Sequence, residues 1–332
     1  MESRVLGAEK TLPSVSVVIR SYKRPELLLK LLQALLAQDH PDFEVIVMEQ
    51  SGFAPELRAR FDALATGDAR LRMMYSEPLG VGGARDAGWR LATREIVLTI
   101  DDDDVPLGTD FVSGHARNYL DPAIIGVTAR QVYSPDEVCG YKRRIARRYC
   151  LSYSFYGEPL AYCRFDERIE SVSWVHGSGG SLRKSVIERV GGWDPRSTNH
   201  DEHPLCLKLL ELRRPGERLV FDPSIRLLRR KDVPGGAGVR SAGAVRIFEM
   251  WIRYYHDLVI KHRPLRSLAL YPIFPLMSAI SAVRWIWRDS LVHRGVADRL
   301  RDSLGALALS PLWYARELQR VARAGLTSRA PR

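Results

Sequence analysis

Apolar segments of strand length alternate with helix-like segments through the first hundred residues, and this alternation limits the fold more than any other feature. The helix-like segments carry leucine or alanine at a 3.6-residue period, and two of them begin with proline, which suits a first helical turn. Strands are predicted at 15–22, 43–48, 71–75 and 95–100, and helices at 25–38, 55–64 and 82–93. The pattern predicts an α/β fold with helices flanking a mostly parallel sheet.

Polar side chains follow three of these predicted strands. Tyr22 and Arg24 come after the first strand, Glu49 and Gln50 after the second, and residues 101–104 after the fourth. In open α/β sheets, ligands bind beyond the carboxyl ends of the strands. We therefore expect these side chains to line one ligand site.

The run of four aspartates at 101–104 is the sharpest local signal. Adjacent carboxylates repel one another, and a cation commonly offsets that repulsion. Alternate residues after a strand can direct Asp101 and Asp103 at one divalent ion, which keeps open positions for substrate phosphates. The competing interpretation is a solvated acidic turn or a helix N-cap.

The glycine-rich segment 80–85 does not fit a dinucleotide-binding fingerprint, because Arg85 stands where G-x-G-x-x-G needs its last glycine. A glycine-rich turn before a helix can still bind phosphate through backbone N–H groups, and Arg85 would add a charged contact. The competing interpretation is a plain loop.

Together these motifs resemble those of the family 2 glycosyltransferases over about residues 15–229. Any one of the motifs is weak, but their ordered series at compatible spacing is specific. The matching segments are S-Y-K-R-P at 21–25, A-L-L-A-Q at 34–38, V-M-E-Q-S at 47–51, G-V-G-G-A-R-D-A-G at 80–88, I-D-D-D-D at 100–104, R-K-S-V-I-E-R-V-G-G-W-D at 183–194 and D-E-H-P-L at 201–205.

The resemblance implies a GT-A fold and inverting transfer of a single sugar from a UDP-, dTDP- or GDP-linked donor, assisted by Mg²⁺ or Mn²⁺. It implies that Asp101, Asp103 and Asp104 hold the metal, and that Glu202, with Asp201 as the alternative, is the catalytic base. The residues expected at the nucleotide sugar are Arg20, Tyr22, Arg24, Glu49, Gln50, Arg85, Asp102, Asp103 and Arg229. The residues expected on the acceptor side are His176, Gly192, Trp193 and Asp194.

The sequence departs from the family pattern in three ways. Glu49-Gln50 replaces a pair of aspartates, the acids at 201 and 202 have exchanged order, and Arg229 stands near the place of a metal-binding histidine. Arginine cannot ligate a metal, but it can grip a diphosphate.

Basic charge is concentrated at the end of the chain. The whole sequence has a net charge of +11, and residues 244–332 hold 15 Lys and Arg against 6 Asp and Glu, a net charge of +9. We predict a catalytic domain over 1–232 and a basic helical region over 244–332. That region is compatible with attachment to a membrane interface. It is also compatible with a helical cap on the catalytic domain or a dimer contact. A third alternative is that the apolar segment 267–287 spans a membrane.

The polar N-terminus predicts no secretory signal, and four widely spaced cysteines indicate neither a zinc site nor a disulfide framework. We therefore expect a cytoplasmic enzyme, peripheral on the inner face of the cell membrane. Its acceptor would be a glycan or lipid-linked glycan in bacterial cell-surface polysaccharide or glycolipid assembly. The alternatives are a catalytically silent scaffold of the same fold and a basic nucleic-acid-binding protein, although no nucleic-acid-binding motif is evident.

Overall fold

The computed structural model describes residues 11–135, 150–153, 159–161, 166–195, 197, 201–230, 276, 280, 283, 287 and 295–327. Residues 11–101 supply four of the nine strands of the central sheet. In chain order the elements are β1 (Val15–Ser21), α1 (Pro25–Leu36), β2 (Phe43–Glu49), α2 (Pro55–Gly67), β3 (Leu71–Tyr75), α3 (Gly80–Leu91) and β4 (Ile96–Asp101). The strands pair in parallel in the order β3-β2-β1-β4.

The remainder of the first 230 residues completes the sheet. Its elements are β5 (Asp104–Pro106), α4 (Phe111–Asn118), β6 (Ile124–Val132), β7 (Cys150–Tyr153), β8 (Pro159–Ala161), β9 (Ile169–Val172), β10 (Gly180–Arg183), α5 (Lys184–Val190), α6 (Glu202–Leu212) and β11 (Arg218–Arg229). Strand β10 lies antiparallel between β4 and β6, and β11 runs parallel to β6. Strands β5 and β9 pair antiparallel with β11, while β7 and β8 form a separate two-stranded sheet.

The predicted α/β class, a mostly parallel sheet flanked by helices, is confirmed. The predicted strands and helices of the first hundred residues are all present, with ends shifted by a few residues. The sequence also predicts a helix over 182–189, but the helix α5 begins at Lys184, because residues 180–183 form β10.

Helix α1 illustrates how the core is built. Its leucines at 28, 31, 32 and 35 are buried against the sheet, as their 3.6-residue spacing requires. The Gln38 side chain, just beyond the helix, accepts hydrogen bonds from the backbone N–H groups of Phe111 and Val112 at 2.8 and 3.2 Å. This amide therefore satisfies donors in the first turn of α4 and fixes α4 relative to α1.

Two compact units divide the chain, one comprising Met1–Leu151 and Ala161–Val233, the other Ser152–Leu160 and Pro234–Arg332. The predicted boundary between 1–232 and 244–332 stays a prediction. The second unit contains α7 (Val296–Thr327), which carries Pro311 in its interior. Within the described ranges, no helix has the length and hydropathy needed to cross a bilayer. Segment 267–287 lies outside the described residues apart from 276, 280, 283 and 287.

Candidate active site

The parallel pairing of β1 with β4 brings Arg20, near the end of β1, and Arg24, just after it, next to the aspartate run. Arg20 is the register partner of Asp101, and its Nη2 donates to Asp101 Oδ2 at 2.9 Å. Arg24, at the start of α1, contacts Asp102 Oδ1 at 3.0 Å and Asp103 Oδ2 at 2.8 Å. Lys23 adopts a left-handed backbone conformation with φ of 59°, so the chain turns sharply between the strand and the helix.

Three carboxylates of the run form a group suited to a divalent cation. One oxygen each from Asp101, Asp103 and Asp104 lies within 4.8 Å of the others. Oxygen Oδ1 of Asp104 is buried and has no hydrogen-bond donor among the described residues. Carboxylate oxygens are the ligands that Mg²⁺ and Mn²⁺ prefer. The residues present therefore fit such an ion.

The acidic run carries strongly perturbed pKa values. Burial raises the pKa of Asp102 to about 6 and that of Asp104 to about 7, and neighbouring aspartates add to both shifts. Burial would also raise the pKa of Asp101, but the guanidinium groups of Arg20 and Arg85 outweigh it and hold that pKa below its ordinary value. The negative charge of the four aspartates is thus only partly compensated by neighbouring protein groups.

Arg85 joins the aspartate run to α6. Its side chain, 3% exposed, donates from Nη2 to Asp101 Oδ1 at 2.7 Å and from Nη1 to Asp201 Oδ1. Nη1 also lies 4.0 Å from Glu202 Oε2. Burial alone would lower the pKa of Arg85, but these carboxylates raise it. In this structure Arg85 pairs with three carboxylates, whereas the sequence alone suggests a phosphate contact.

Helix α3 holds Arg85 through close packing at two glycines. Gly82 N donates to the Ser197 carbonyl at 2.9 Å, and a Cβ at Gly82 would overlap the Asp194 carbonyl. Gly88, one turn beyond Arg85, is packed so tightly on Val18 of β1 that a Cβ would overlap its side chain. The glycines of this segment therefore bring α3 close to its neighbours.

The two candidate base residues differ in environment. Asp201 immediately precedes α6, is 1% exposed and is paired with Arg85. Burial raises its pKa, against the opposing charge of Arg85. The Glu202 side chain is 14% exposed, and its Oε1 lies 3.9 Å from His203 Nε2. Glu202 is thus the more accessible carboxylate.

Arg229 approaches the aspartates from the end of β11. Its Nη1 donates to Gln131 Oε1 at 3.0 Å. Burial would lower its pKa, but Asp104 and Asp101 raise it. His176 packs edge-on against Trp174, with ring centroids 5.1 Å apart, and burial together with Arg229 lowers its pKa to about 4. Imidazole at position 176 is therefore neutral at physiological pH.

Glu49, the last residue of β2, and Gln50, which follows it, both accept hydrogen bonds from nearby backbone N–H groups. Gln50 Oε1 accepts from the backbone N–H of Leu79 at 2.8 Å, and Glu49 Oε1 accepts from that of Ser51. Burial raises the pKa of Glu49. Tyr22 has an exposed side chain, and its backbone N–H donates to Asp102 Oδ2 at 3.2 Å.

The predicted acceptor-side segment packs beside α3. A side chain at Gly192 would overlap Asp86 and Trp89, and Gly192 has a φ of 80°, which favours glycine. Trp193 is buried, and the Asp194 carbonyl lies against Gly82. The acceptor roles of these residues and of His176 stay predictions.

A sequence profile decides the family. The profile described as glycosyl transferase family 2 matches residues 16–191, more than half of the chain. The chain belongs to glycosyl transferase family 2. An uncharacterized glycosyltransferase of Nostoc sp. is 28% identical to this family 2 chain over 91 residues, which cover 27% of the chain and 28% of the relative. The match thus spans about a quarter of that relative's length.

Solved structures of glycosyltransferases share the fold of this family 2 chain. A mannosyltransferase from Pyrobaculum calidifontis, in complex with GDP-Man and Mn²⁺, aligns with a TM-score of 0.55 at 17% identity over 95% of this chain and 87% of its own. TarS 1-349 of S. aureus, in complex with UDP-GlcNAc, aligns with a TM-score of 0.54 at 13% identity, over 96% of this chain and 93% of its own. GalNAc-T7 with UDP, GalNAc and Mn²⁺ aligns with a TM-score of 0.54 at 14% identity, over 78% of this chain and 52% of its own. At such identities the likeness shows the GT-A type of fold.

Sequence reasoning missed two polar residues of the site, Gln131 and Ser178. Ser178 Oγ accepts from the backbone N–H of Asp101 at 3.0 Å and donates to Asp104 Oδ2. Gln131 Nε2 donates to the Ser178 carbonyl at 2.9 Å. The available signal was the glycine density around Ser178, since glycines next to a strand commonly mark close backbone approach.

Proposed function

We propose that this family 2 glycosyltransferase transfers a single sugar from a nucleotide-diphosphate sugar to an acceptor hydroxyl with inversion. One observation carries the proposal. The carboxylate oxygens of Asp101, Asp103 and Asp104 lie within 4.8 Å of one another, and Arg85 connects Asp101 to Asp201 and Glu202. Donor-binding and base functions would therefore occupy one edge of the sheet.

The three carboxylates would hold Mg²⁺ or Mn²⁺, and such an ion supplies charge stabilisation for the departing diphosphate. Arg20 and Arg24 lie against the same aspartates, so their guanidinium groups can bind phosphate oxygens beside them. Arg229 adds a permanent positive charge near Asp104. A diphosphate bound among these groups would be fixed on one side of the sugar.

Glu202 is the proposed general base. Its accessibility exceeds that of Asp201, which is buried and held by Arg85. A base must reach the acceptor hydroxyl within hydrogen-bond distance, about 2.6–3.2 Å. Attack from the face opposite the diphosphate would invert the configuration at the anomeric carbon. Asp201 would orient Arg85, and Arg85 would orient Glu202.

The donor base is proposed to contact Tyr22, Glu49 and Gln50, with Tyr22 stacking on the ring. The donor would be a uridine, thymidine or guanosine diphosphate sugar. Structural neighbours in complex with GDP-Man and UDP-GlcNAc support the guanosine and uridine donors. His176, Gly192, Trp193 and Asp194 would lie on the acceptor side.

We further propose a catalytic domain over 1–232 and a basic region over 244–332 that contacts an anionic membrane from the cytoplasm. The acceptor would be a glycan or lipid-linked glycan of a bacterial surface polymer. Support comes from the net charge of +9 in 244–332 and from exposed leucines at 300, 304 and 307 of α7. Flotation with anionic liposomes, with and without residues 244–332, tests this, and equal flotation of the two proteins would reject it.

A thermal-shift screen of UDP-, dTDP- and GDP-sugars with Mg²⁺ or Mn²⁺ tests donor binding. A ligand at a hundred times its Kd adds about 2.7 kcal/mol, which for a domain of this size raises Tm by about 5–11 °C. Asp103→Ala should abolish the metal-dependent part of the shift. Asp42→Ala, an exposed change before β2 at the opposite edge of the sheet, should not. An unchanged shift in Asp103→Ala would reject the site.

The base assignment has its own test. Glu202→Gln should keep the donor-induced shift but lower transfer by about 10²–10⁴-fold, the usual contribution of general-base catalysis. Glu211→Gln, an exposed change on the same helix, should leave both unchanged. Retained turnover in Glu202→Gln would move the base role to another residue.

A further inference from the structure

Ser178 connects the first and last members of the aspartate run. Its Oγ accepts a hydrogen bond from the backbone N–H of Asp101 at 3.0 Å and donates one to Asp104 Oδ2. Ser178 and Asp104 are both buried. A serine hydroxyl has one donor and two acceptor positions, so it can make both bonds together. The hydroxyl therefore sets the position of the Asp104 carboxylate relative to the end of β4.

The backbone around Ser178 is fixed by both neighbouring strands. Gly179 N donates to the Thr99 carbonyl of β4 at 2.8 Å, and Ala129 N of β6 donates to the Gly179 carbonyl at 2.8 Å. The Gln131 side-chain amide also donates a hydrogen bond to the Ser178 carbonyl. Gly179 has a φ of 76°, and a Cβ there would lie 2.8 Å from a leucine side-chain carbon. Ser178 is thus presented from a rigid part of the sheet.

The two oxygens of Asp104 have different surroundings. Oδ2 accepts from Ser178, whereas Oδ1 is buried without a hydrogen-bond donor among the described residues. Asp104 also belongs to the group of three carboxylates within 4.8 Å. A buried acceptor without a partner is costly, so a site that leaves one this way suits a ligand that binds the oxygen directly.

We propose that Ser178 is a positioning residue for a divalent cation at Asp101, Asp103 and Asp104. It holds Oδ2 of Asp104 and so leaves the other oxygen for the cation. This inference rests on the proposed metal-assisted function. Hydrogen-bond partners of metal ligands commonly change metal affinity about 10–100-fold when removed. Ser178→Ala should therefore bind Mn²⁺ about 10–100-fold more weakly than the unchanged chain.

Ser181→Ala provides a matched control three residues further along the chain, in β10. Ser181 is also buried, but its hydroxyl bonds to His115 Nδ1 and the Tyr119 hydroxyl, each at 2.8 Å, rather than to the carboxylates. Mn²⁺ binding to the full chain is measured without donor or acceptor, from the electron paramagnetic resonance signal of free Mn²⁺. Melting temperatures of both variants report the loss of a buried hydroxyl. Only Ser178→Ala should lose Mn²⁺ affinity.

Two results would overturn the positioning role: Mn²⁺ binding by Ser178→Ala at unchanged affinity, or equal weakening in Ser181→Ala. Ser178→Thr keeps the hydroxyl and should restore the affinity. If the alanine variant does not fold, Ser178→Cys, with its weaker donor, should show the loss instead, and unchanged affinity there would also overturn the role. If the unsubstituted chain binds no Mn²⁺, either alone or with a nucleoside diphosphate present, the metal-assisted function itself is refuted, so the two failures are distinguishable.

Discussion

Replacement of Arg85 by glutamine is expected to destabilise the fold strongly. The side chain is 3% exposed, and its partners Asp101 and Asp201 are 10% and 1% exposed. Glutamine would leave both carboxylates buried without the guanidinium group that now pairs with them. Breaking a buried ion pair by removing one partner costs about 3–5 kcal/mol. Since 1 kcal/mol lowers Tm by about 2–4 °C in a domain of 150–250 residues, a loss of about 6–20 °C is expected.

Arg90→Gln is the matched control because Arg90 lies on the same helix. Its side chain is 56% exposed and pairs with Asp86 at 2.9 Å, four residues earlier. Such surface pairs contribute about 0.3–0.5 kcal/mol, so the control should lose about 1–2 °C at most. Both variants are compared by circular dichroism during heating and during urea unfolding near neutral pH, with a chelator present. If Arg85→Gln lies within about 1 kcal/mol of Arg90→Gln, the buried ion-pair reasoning is wrong.

Two further predictions concern the scaffold. Burial acts to raise the pKa of Glu44, but hydrogen bonds such as that from Ser16 hold it below its ordinary value of 4.5. The ionised Glu44 therefore stabilises the fold at pH values above 4.5. The difference in unfolding free energy between the unsubstituted chain and Glu44→Gln, measured by urea unfolding at several pH values, should shrink as the pH falls below 4.5. A pH-independent difference would contradict this. Gly88→Ala should cost about 1–3 kcal/mol by overpacking against Val18, whereas Gly67→Ala, with open space around it, should cost nothing measurable in the same assay. Equal effects of the two glycine changes would contradict the packing account.

The first half of the fold could be predicted because its signals are local. Each strand from β1 to β4 is an apolar run bounded by turn residues or proline, and α1 carries a clear 3.6-residue leucine pattern. The second half could not be predicted in the same way. Strand β6 is buried along its whole length, yet it contains Gly126, Arg130 and Gln131, which interrupt the apolar run. The insertion of the four-residue β10 between β4 and β6 depends on pairing across long stretches of chain.

Prediction of the site had a similar limit. Parallel strands place their carboxyl ends at one edge, so proximity of Arg20 to the aspartate run follows from the pattern alone. The partners of Arg85 do not follow from it, because Asp201 lies 116 residues away in the sequence. The contacts of Ser178 could not be predicted either, because they depend on the antiparallel insertion of β10 beside β4. Local pattern therefore identifies the charged groups, and tertiary pairing determines which of them meet.

Arg229 affects what the aspartate group can bind. A guanidinium cannot ligate a metal, so the candidate ligands within the described residues are the oxygens of Asp101, Asp103 and Asp104. An all-oxygen set favours Mg²⁺ or Mn²⁺ over Zn²⁺, which prefers nitrogen and sulfur. The permanent charge of Arg229 near Asp104 also opposes a bare cation. A diphosphate offsets both positive charges, so each ligand should strengthen binding of the other, and by linkage the two enhancements must be equal.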